Sequence, residues 1–197
     1  MPNPKSKIPR PADSDRRGGQ NPKSAGSLEV MSSSVEETQA FGERLGALLQ
    51  PGDVVALQGD LGAGKTTLIQ GLARGLGRNP DSIKSPTFVL MREYAGDVPL
   101  VHIDGYRLEG VLAAAWLDMD VMFGARKITV IEWAERFGGL LPENHIELRL
   151  THKTTNRRNI CVIAHGARSA QLIEILKQAV HSPQSTVHSE TQEAQEK

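Results

Sequence analysis

The chain has 197 residues, of which 39% are hydrophobic and 4% aromatic, and its 23 lysines and arginines balance 23 aspartates and glutamates. This length suits one domain with additional ends, and the neutral balance argues against strong autonomous binding to nucleic acid. The single cysteine, Cys161, excludes an internal disulfide bond, and the lack of a signal peptide or of a run near the roughly 18 apolar residues of a membrane helix predicts a cytoplasmic protein outside the membrane.

Both ends of the chain differ in composition from its middle. Residues 1–30 are rich in Pro, Gly and Ser and carry six basic against three acidic residues, whereas residues 181–197 carry one Lys against three Glu. Neither segment can bury enough apolar surface to offset the entropy lost on ordering. We therefore predict a disordered basic tail over 1–30, a folded domain over 31–180 and a disordered tail over 181–197.

The folded region opens with signals for a helix and a strand. Ser34 and Glu37 form a capping-box pattern, and apolar residues then recur at helical spacing from Phe41 to Leu49. Pro51-Gly52 ends that helix. The short β-branched run that follows, residues 53–58, predicts a buried strand.

Later segments alternate between strand-like and helix-like patterns. Helices are predicted over 67–77, 113–123 and 167–180, and strands over 85–94, 98–104, 127–133, 145–150 and 157–165. Alternation of strands and helices favours an α/β fold with a parallel core, and the predicted hairpins add antiparallel pairs. The expected fold is a three-layer sandwich around a mixed, partly parallel central sheet.

The stretch "GDLGAGKTT", residues 59–67, matches the phosphate-binding loop pattern, between a predicted strand and a predicted helix. Small residues let backbone N–H groups surround a phosphate, and the helix N-terminus adds positive potential. A lysine then reaches the outer phosphates and a threonine hydroxyl suits magnesium. The predicted nucleotide-binding residues are Gly62, Ala63, Gly64, Lys65, Thr66 and Thr67, which make the fold P-loop NTPase-like.

Two acidic residues end predicted strands beside this loop. Glu132 has the position of a magnesium ligand, which it would share with Thr66. Asp104 could orient water, act as a general base or simply cap the turn at Gly105. Thr87 could sense the γ-phosphate as a switch, or its segment could be only a proline-shaped strand entry.

The absence of an Asn/Thr-Lys-x-Asp tetrapeptide, with which guanine-binding proteins read their base, favours ATP over GTP. A phosphate-binding loop predicts binding and not, by itself, hydrolysis. A small-molecule kinase and a non-hydrolysing nucleotide-sensing adaptor therefore stand as alternatives to an ATPase.

In order and spacing, five motifs resemble the TsaE (YjeE) family over about residues 33–178: "GDLGAGKTT", "SPTFVL", "HIDGYRL", "IEWAER" and "LPENHIELRL". The resemblance implies a P-loop ATPase domain that binds and slowly hydrolyses ATP with Mg²⁺. It implies a role, with the TsaB–TsaD complex as partner, in threonylcarbamoyladenosine modification of tRNA, and leaves direct contact with tRNA undetermined.

The resemblance also implies roles for particular residues. Thr66 and Glu132 become magnesium ligands, Asp104 and Glu132 catalytic groups, and Trp133 a residue on the nucleotide and partner side. Thr38 and Arg157 would border the base. The chain departs from the family at Gly105, where leucine is common, and this change is expected to loosen the turn that holds Asp104.

Overall fold

The computed structural model describes residues 26–108 and 118–181, which contain one seven-stranded mixed sheet. The strands are β1 Ser27–Ser32, β2 Val54–Gln58, β3 Met91–Tyr94, β4 Leu100–Asp104, β5 Ile128–Glu132, β6 His145–His152 and β7 Arg158–His165. The helices are α1 Val35–Gly46, α2 Lys65–Gly75, α3 Met119–Met122 and α4 Ala167–His181.

The strand order is β1-β7-β6-β2-β5-β4-β3. The central strands β4, β5, β2 and β6 pair in parallel, whereas β3, β7 and β1 add antiparallel pairs. The predicted mixed sheet is therefore confirmed, and so is the hairpin of β6 and β7.

Two apolar clusters show that the sheet is covered on both faces. Along β2, Val55 and Leu57 belong to one cluster, with residues from α1, α2 and α4, and the alternate residues Val54 and Ala56 belong to the other. Alternate residues of a strand point to opposite faces, so the second cluster, which includes Phe137, lies on the face of the sheet opposite α1, α2 and α4. The three-layer α/β prediction is confirmed.

The N-terminal boundary predicted at residue 31 is wrong, because β1 begins at Ser27 and pairs antiparallel with β7. Leu28 of β1 is buried in the first cluster, while Glu29 is exposed. This alternation spans too few residues to change the average composition of the segment. Residues 1–25 and 182–197, where disordered tails were predicted, lie outside the described residues, and α4 extends to His181.

The strand predicted over 85–94 is only partly correct, because β3 begins at Met91. The preceding residues curl into a turn in which the N–H groups of Val89 and Leu90 both donate to the carbonyl of Pro86, at 2.9 and 2.7 Å. Leu90 has a φ of 68°, which no strand residue adopts. Of the helix predicted over 113–123, the described residues contain α3, and residues 109–117 lie outside the description.

The first helix begins with the predicted capping box. The Ser34 hydroxyl accepts from the Glu37 N–H at 3.1 Å, and the Glu37 carboxylate accepts from the Ser33 N–H at 2.6 Å. Both bonds satisfy donors at the start of α1 that have no partner within the helix.

The helices α1 and α2 pack backbone to backbone through glycines. A Cβ atom at Gly46 of α1 would lie 2.1 Å from the Leu72 carbonyl oxygen of α2, and one at Gly71 of α2 would lie 2.1 Å from the Gln39 carbonyl oxygen of α1. This close approach fixes α2, whose first turn contains the last residues of the phosphate-loop motif, against the rest of the first layer.

Within the described ranges, no helix combines the length and the apolarity that crossing a bilayer requires.

The Gly46→Ala substitution should lower the free energy of unfolding by about 1–2 kcal/mol, because overpacking of two backbones, at a cost of up to about 3 kcal/mol, outweighs the roughly 1 kcal/mol gained in helix propensity. Urea denaturation monitored by circular dichroism measures this change. Gly139→Ala is the matched control, since a Cβ atom there meets nothing within 4 Å. Equal stability of the two variants would contradict the glycine-mediated contact.

Candidate functional site

Three parallel strands end at one edge of the sheet, and each delivers part of the candidate site. The phosphate-loop motif follows β2, Asp104 ends β4 and Glu132 ends β5, where the two acids are paired in register. Because β2, β4 and β5 are parallel, their C-terminal ends meet at the same edge. The sheet therefore brings residues as far apart as Leu61 and Trp133, 72 positions along the chain, into one cavity.

The loop between β2 and α2 has a backbone that side chains would obstruct. Gly59 has a φ of 138°, and a Cβ atom there would lie 2.3 Å from the Leu150 carbonyl oxygen. At the other end, Gly64 has a φ of 101°, and α2 starts at Lys65 without a side-chain cap. The first N–H groups of α2 are therefore open to an anion.

Lys65 is 4% exposed, although it carries the positive charge of the motif. Its Nζ donates to the carbonyls of Gly59 and Asp60, at 2.6 and 2.9 Å, and lies 3.8 Å from the centre of the Trp133 ring. Burial lowers the pKa of the Lys65 ammonium below its usual value, and nearby acidic charges, that of Glu132 foremost, oppose this shift. Its two hydrogen bonds hold the Lys65 ammonium against the backbone of the loop.

Thr66 and Glu132 are in direct contact. The Thr66 hydroxyl lies 2.8 Å from Oε1 and 3.0 Å from Oε2 of Glu132. In an octahedron with Mg–O bonds of 2.0–2.1 Å, adjacent ligand oxygens lie about 2.9 Å apart. The two predicted ligands therefore have the chemistry and the spacing that Mg²⁺ requires, and the residues present fit the ion.

His102 holds the Glu132 carboxylate in place through a hydrogen bond. Both side chains are buried, and His102 Nε2 lies 3.0 Å from Glu132 Oε1. His102 Nδ1 has no hydrogen-bond partner among the described residues. The tautomer with its proton on Nε2 suits this environment, because it leaves a lone pair rather than an N–H group unpaired. His102 is therefore a positioning residue for Glu132.

Asp104 is 2% exposed and surrounded by donors. Its Oδ2 accepts from the hydroxyls of Ser85 and Thr87, the latter at 2.6 Å, and its Oδ1 accepts from the Tyr106 N–H at 2.9 Å. Asp104 therefore caps the turn after β4 and also lines the cavity. Thr87, the predicted switch residue, contacts this carboxylate directly.

The turn that follows Asp104 is tightly packed, so the expected loosening at Gly105 is wrong. A Cβ atom at Gly105 would lie 2.8 Å from the Phe137 ring and 2.9 Å from the Trp133 carbonyl oxygen. The Gly105 N–H donates to the Glu132 carbonyl at 2.9 Å. Glycine at this position lets the ends of β4 and β5 approach each other.

The cavity between these groups has a volume of about 510 Å³, within the range of small-molecule sites. Its lining contains most of the predicted residues: Gly62, Gly64, Lys65, Thr66, Thr67, Thr87, Asp104, Glu132 and Trp133. The sequence prediction missed Ser85, Tyr106 and Phe88, which line the same cavity. Ser85 and Phe88 belong to the 85–90 turn, whose apolar composition resembles that of a strand, and Tyr106 lies in the turn after β4.

Three predicted residues lie outside the lining. Ala63 is buried and its N–H donates to the Asp60 carbonyl at 3.1 Å. The Thr38 side chain is buried, with its hydroxyl bonded to the Ser34 carbonyl at 2.9 Å, and Arg157 is exposed at the hairpin end of β7. The structure does not bring these three side chains to the cavity.

Arg158, the neighbour of Arg157, is the arginine that reaches the loop. It is 7% exposed, its Nη1 donates to the Thr38 hydroxyl at 3.0 Å, and the same atom lies 2.8 Å from the Cβ position of Gly64. Strand alternation could have identified it, because Arg158 shares its face of β7 with the buried Ile160.

The central strand of the mixed sheet, β2, leads through the glycine-bearing phosphate loop into α2. This arrangement defines a P-loop NTPase-like protein. Comparison with known proteins then gives the family. Residues 32–160 match the family described as threonylcarbamoyl adenosine biosynthesis protein TsaE.

Curated relatives and a solved structure indicate the same family. The chain is 38% identical over 142 residues to the tRNA threonylcarbamoyladenosine biosynthesis protein TsaE of Bacillus subtilis, with 72% of this chain and 88% of that protein covered. It is 47% identical over 138 residues to the TsaE protein of Streptomyces coelicolor, with 66% and 92% covered. The crystal structure of Bacillus subtilis YdiB superposes with a TM-score of 0.66 at 34% identity, over 78% of this chain and 96% of that one. The chain belongs to the TsaE family of tRNA threonylcarbamoyladenosine biosynthesis.

The lowered pKa of Lys65 predicts a pH-dependent contribution to stability. Because the folded-state pKa lies below the unfolded value, the unfolded chain binds more protons between the two values, and stability rises with pH across that window. The free energy of unfolding of the wild type should therefore rise relative to that of Lys65→Met as pH increases towards the ordinary lysine pKa. Denaturant titrations over an alkaline pH series measure the difference.

The matched control for this series is Lys153→Met, which removes an exposed lysine. A difference for Lys65→Met that changes with pH no more than the difference for Lys153→Met does would refute the prediction.

Proposed function

We propose that this protein binds and slowly hydrolyses ATP and that threonylcarbamoyladenosine modification of tRNA requires it, through action on the TsaB–TsaD complex in the cytoplasm. The observation that carries the proposal is the convergence of Lys65, Thr66, Glu132 and Asp104 in one cavity. Membership of the TsaE family supplies the pathway.

The loop and the first turn of α2 would bind the triphosphate. Open N–H groups at the helix start and the ammonium of Lys65 supply positive potential where phosphate oxygens would lie. Thr66 and Glu132 would hold Mg²⁺, which supplies charge neutralisation at the outer phosphates when it is bound. His102 keeps the Glu132 carboxylate turned towards Thr66.

Asp104 is the residue proposed to orient the attacking water. Its carboxylate accepts hydrogen bonds from the Ser85 and Thr87 hydroxyls and from the Tyr106 N–H. The Asp104 carboxylate is therefore preorganised. If the Thr87 hydroxyl donated its hydrogen bond to a phosphate oxygen instead of to Asp104, the conformation of the 85–90 turn would depend on the bound nucleotide.

Slow turnover follows from the few cations available. Within residues 26–108 and 118–181, the cations that line the cavity are Lys65, already bonded to two loop carbonyls, and Arg107, whose guanidinium lies 4.4 Å from the centre of the Phe88 ring at the mouth. Neither is free to approach the γ-phosphate without breaking a contact. A partner that moves Arg107 or the turn would accelerate hydrolysis.

The mouth of the cavity has the character of a protein-binding surface. Leu61, Phe88 and Tyr106, which line the cavity, are 75%, 85% and 45% exposed, and Val89, the chain neighbour of Phe88, is 60% exposed. Large exposed apolar side chains around a functional cleft favour a protein partner. We assign this surface to the TsaB–TsaD complex.

Substitutions at Asp104 and Thr66 should separate hydrolysis from magnesium-dependent binding. Asp104→Asn should retain ATP binding in calorimetry and lose phosphate release by about 100-fold or more, because an amide orients water poorly as an acceptor. Thr66→Ala should weaken ATP binding in Mg²⁺ and change binding little in EDTA. Equal loss of binding in both variants would assign Asp104 to nucleotide binding rather than to hydrolysis.

The pathway is tested by adding purified TsaB–TsaD and following phosphate release. Release should increase with the wild type, and Val89→Ser should weaken the apparent affinity for the complex by about tenfold, as loss of an interface anchor does. Ile175→Ser is the control, because it removes a similarly exposed apolar side chain from α4.

Cells depleted of the protein should lose threonylcarbamoyladenosine from tRNA, as nucleoside analysis measures. Persistence of the modified nucleoside, or no stimulation by TsaB–TsaD, would refute the proposed function. Transfer of the γ-phosphate to a metabolite would instead indicate a kinase, and ATP binding without any release, even with partners, would indicate an adaptor.

A further inference from the structure

A second polar cluster, away from the proposed nucleotide site, lies on the face of the sheet opposite α1, α2 and α4. The second apolar cluster contains no residue of β1, β6 or β7, so this part of the face lacks that cover. A cavity of about 650 Å³ lies here, between the β6–β7 pair and the 134–143 segment. His145, Glu147 and His165 all line it.

Strand geometry places these three side chains together. His145 and Glu147 are two residues apart on β6 and therefore point to the same face, and His165 is the register partner of His145 on β7. Their nearest ligand atoms, one from each residue, all lie within 4.8 Å of one another. The two imidazole rings are stacked, with centroids 4.2 Å apart and planes inclined by 7°.

The contacts around the cluster fix the proton position of one imidazole and select one carboxylate oxygen. His145 Nδ1 lies 2.7 Å from the Pro142 carbonyl, which holds its proton on Nδ1 and leaves the Nε2 lone pair free. Arg149 Nε donates to Glu147 Oε1 at 2.5 Å, so Oε2 is the oxygen directed at His165, 2.8 Å from its Nε2. Glu147 is 5% exposed, and this fixes the carboxylate within the sheet surface.

From this geometry we infer that His145, Glu147 and His165 form a binding site for a divalent transition-metal ion, with Zn²⁺ the best fit. Two imidazoles and one carboxylate are a zinc ligand set that leaves a fourth position open, here towards the cavity. Mg²⁺ and Ca²⁺ are disfavoured, because they prefer oxygen ligands. Binding needs the Glu147–His165 hydrogen bond to break, with the proton on His165 Nε2 moved to Nδ1 or released to solvent, and the histidine rings to turn towards one ion.

This site is distinct from the magnesium site proposed at Thr66 and Glu132. Because β6 is parallel to β2, residues 149–152 of β6 lie at the nucleotide edge and His145 lies at the opposite edge. At about 3.3 Å per residue, His145 is roughly 16 Å along the strand from Leu150, whose carbonyl approaches Gly59. The metal would cross-link β6 and β7 at the end remote from the nucleotide.

Equilibrium dialysis of the full chain, without an affinity tag or nucleotide, against Zn²⁺ tests the inference. One Zn²⁺ per chain should bind, and both His165→Ala and Glu147→Gln should weaken binding by at least about tenfold, since even outer-shell changes cost that much. His152→Ala is the matched control, because His152 is an exposed histidine at the far end of the same strand. Thr66→Val should retain the ion, which separates this site from the magnesium site.

Bound Co²⁺ provides a second measurement, since the intensity of its visible absorption reports a tetrahedral site with imidazole ligands. The wild type and His152→Ala should give the same spectrum, and Glu147→Gln should lose it while keeping the far-ultraviolet circular dichroism of the wild type. No binding to the wild type, or equal loss with His152→Ala, would overturn the inference. That result would leave a purely polar His165–Glu147–Arg149 network, and it would not affect the proposed ATPase.

Discussion

Burial of charge at the C-terminal edge of three parallel strands is the constraint on which the candidate site depends. Lys65, Asp104 and Glu132 are each at most 4% exposed, and an uncompensated buried ion costs several kcal/mol. Each charge is compensated by a different element: loop carbonyls hold Lys65, the 85–90 turn holds Asp104, and Thr66 with His102 holds Glu132. A one-residue shift of β4 or β5 would leave several of these groups unpaired together.

The same packing that fixes the loop leaves part of the sheet open. Glycine contacts between α1 and α2 press the first layer onto one face, and the cluster around Phe137 covers β2, β4 and β5 on the other. The remaining face of β6 and β7 carries the His145–Glu147–His165 cluster beside a cavity. The molecule thus presents the candidate nucleotide-binding cavity at one edge of the sheet and a histidine-rich cavity remote from it.

Sequence reasoning succeeded where one short segment contains the whole physical cause. The capping box at Ser34 and Glu37, the loop from Gly59 and the strand-end acids Asp104 and Glu132 each follow from local spacing. It failed where a neighbour in space decided the outcome. The turn before β3 was predicted as strand from its apolar composition, yet its apolar side chains face solvent, with Phe88 85% and Val89 60% exposed. Arg157, predicted to border the base, lies exposed outside the cavity, because Arg158 is the residue whose face of β7 turns inwards.

The sequence by itself determined the phosphate loop, the acids at the strand ends, the order of most elements and the resemblance to the TsaE family, since these depend on residue type and spacing along the chain. Only the tertiary structure decided that His102 holds Glu132, that Thr87 meets Asp104, and that His165 faces His145 across the hairpin. The physical reason is that hydrogen bonds and metal ligands depend on distances of about 3 Å, and strand register sets such distances between residues far apart in sequence.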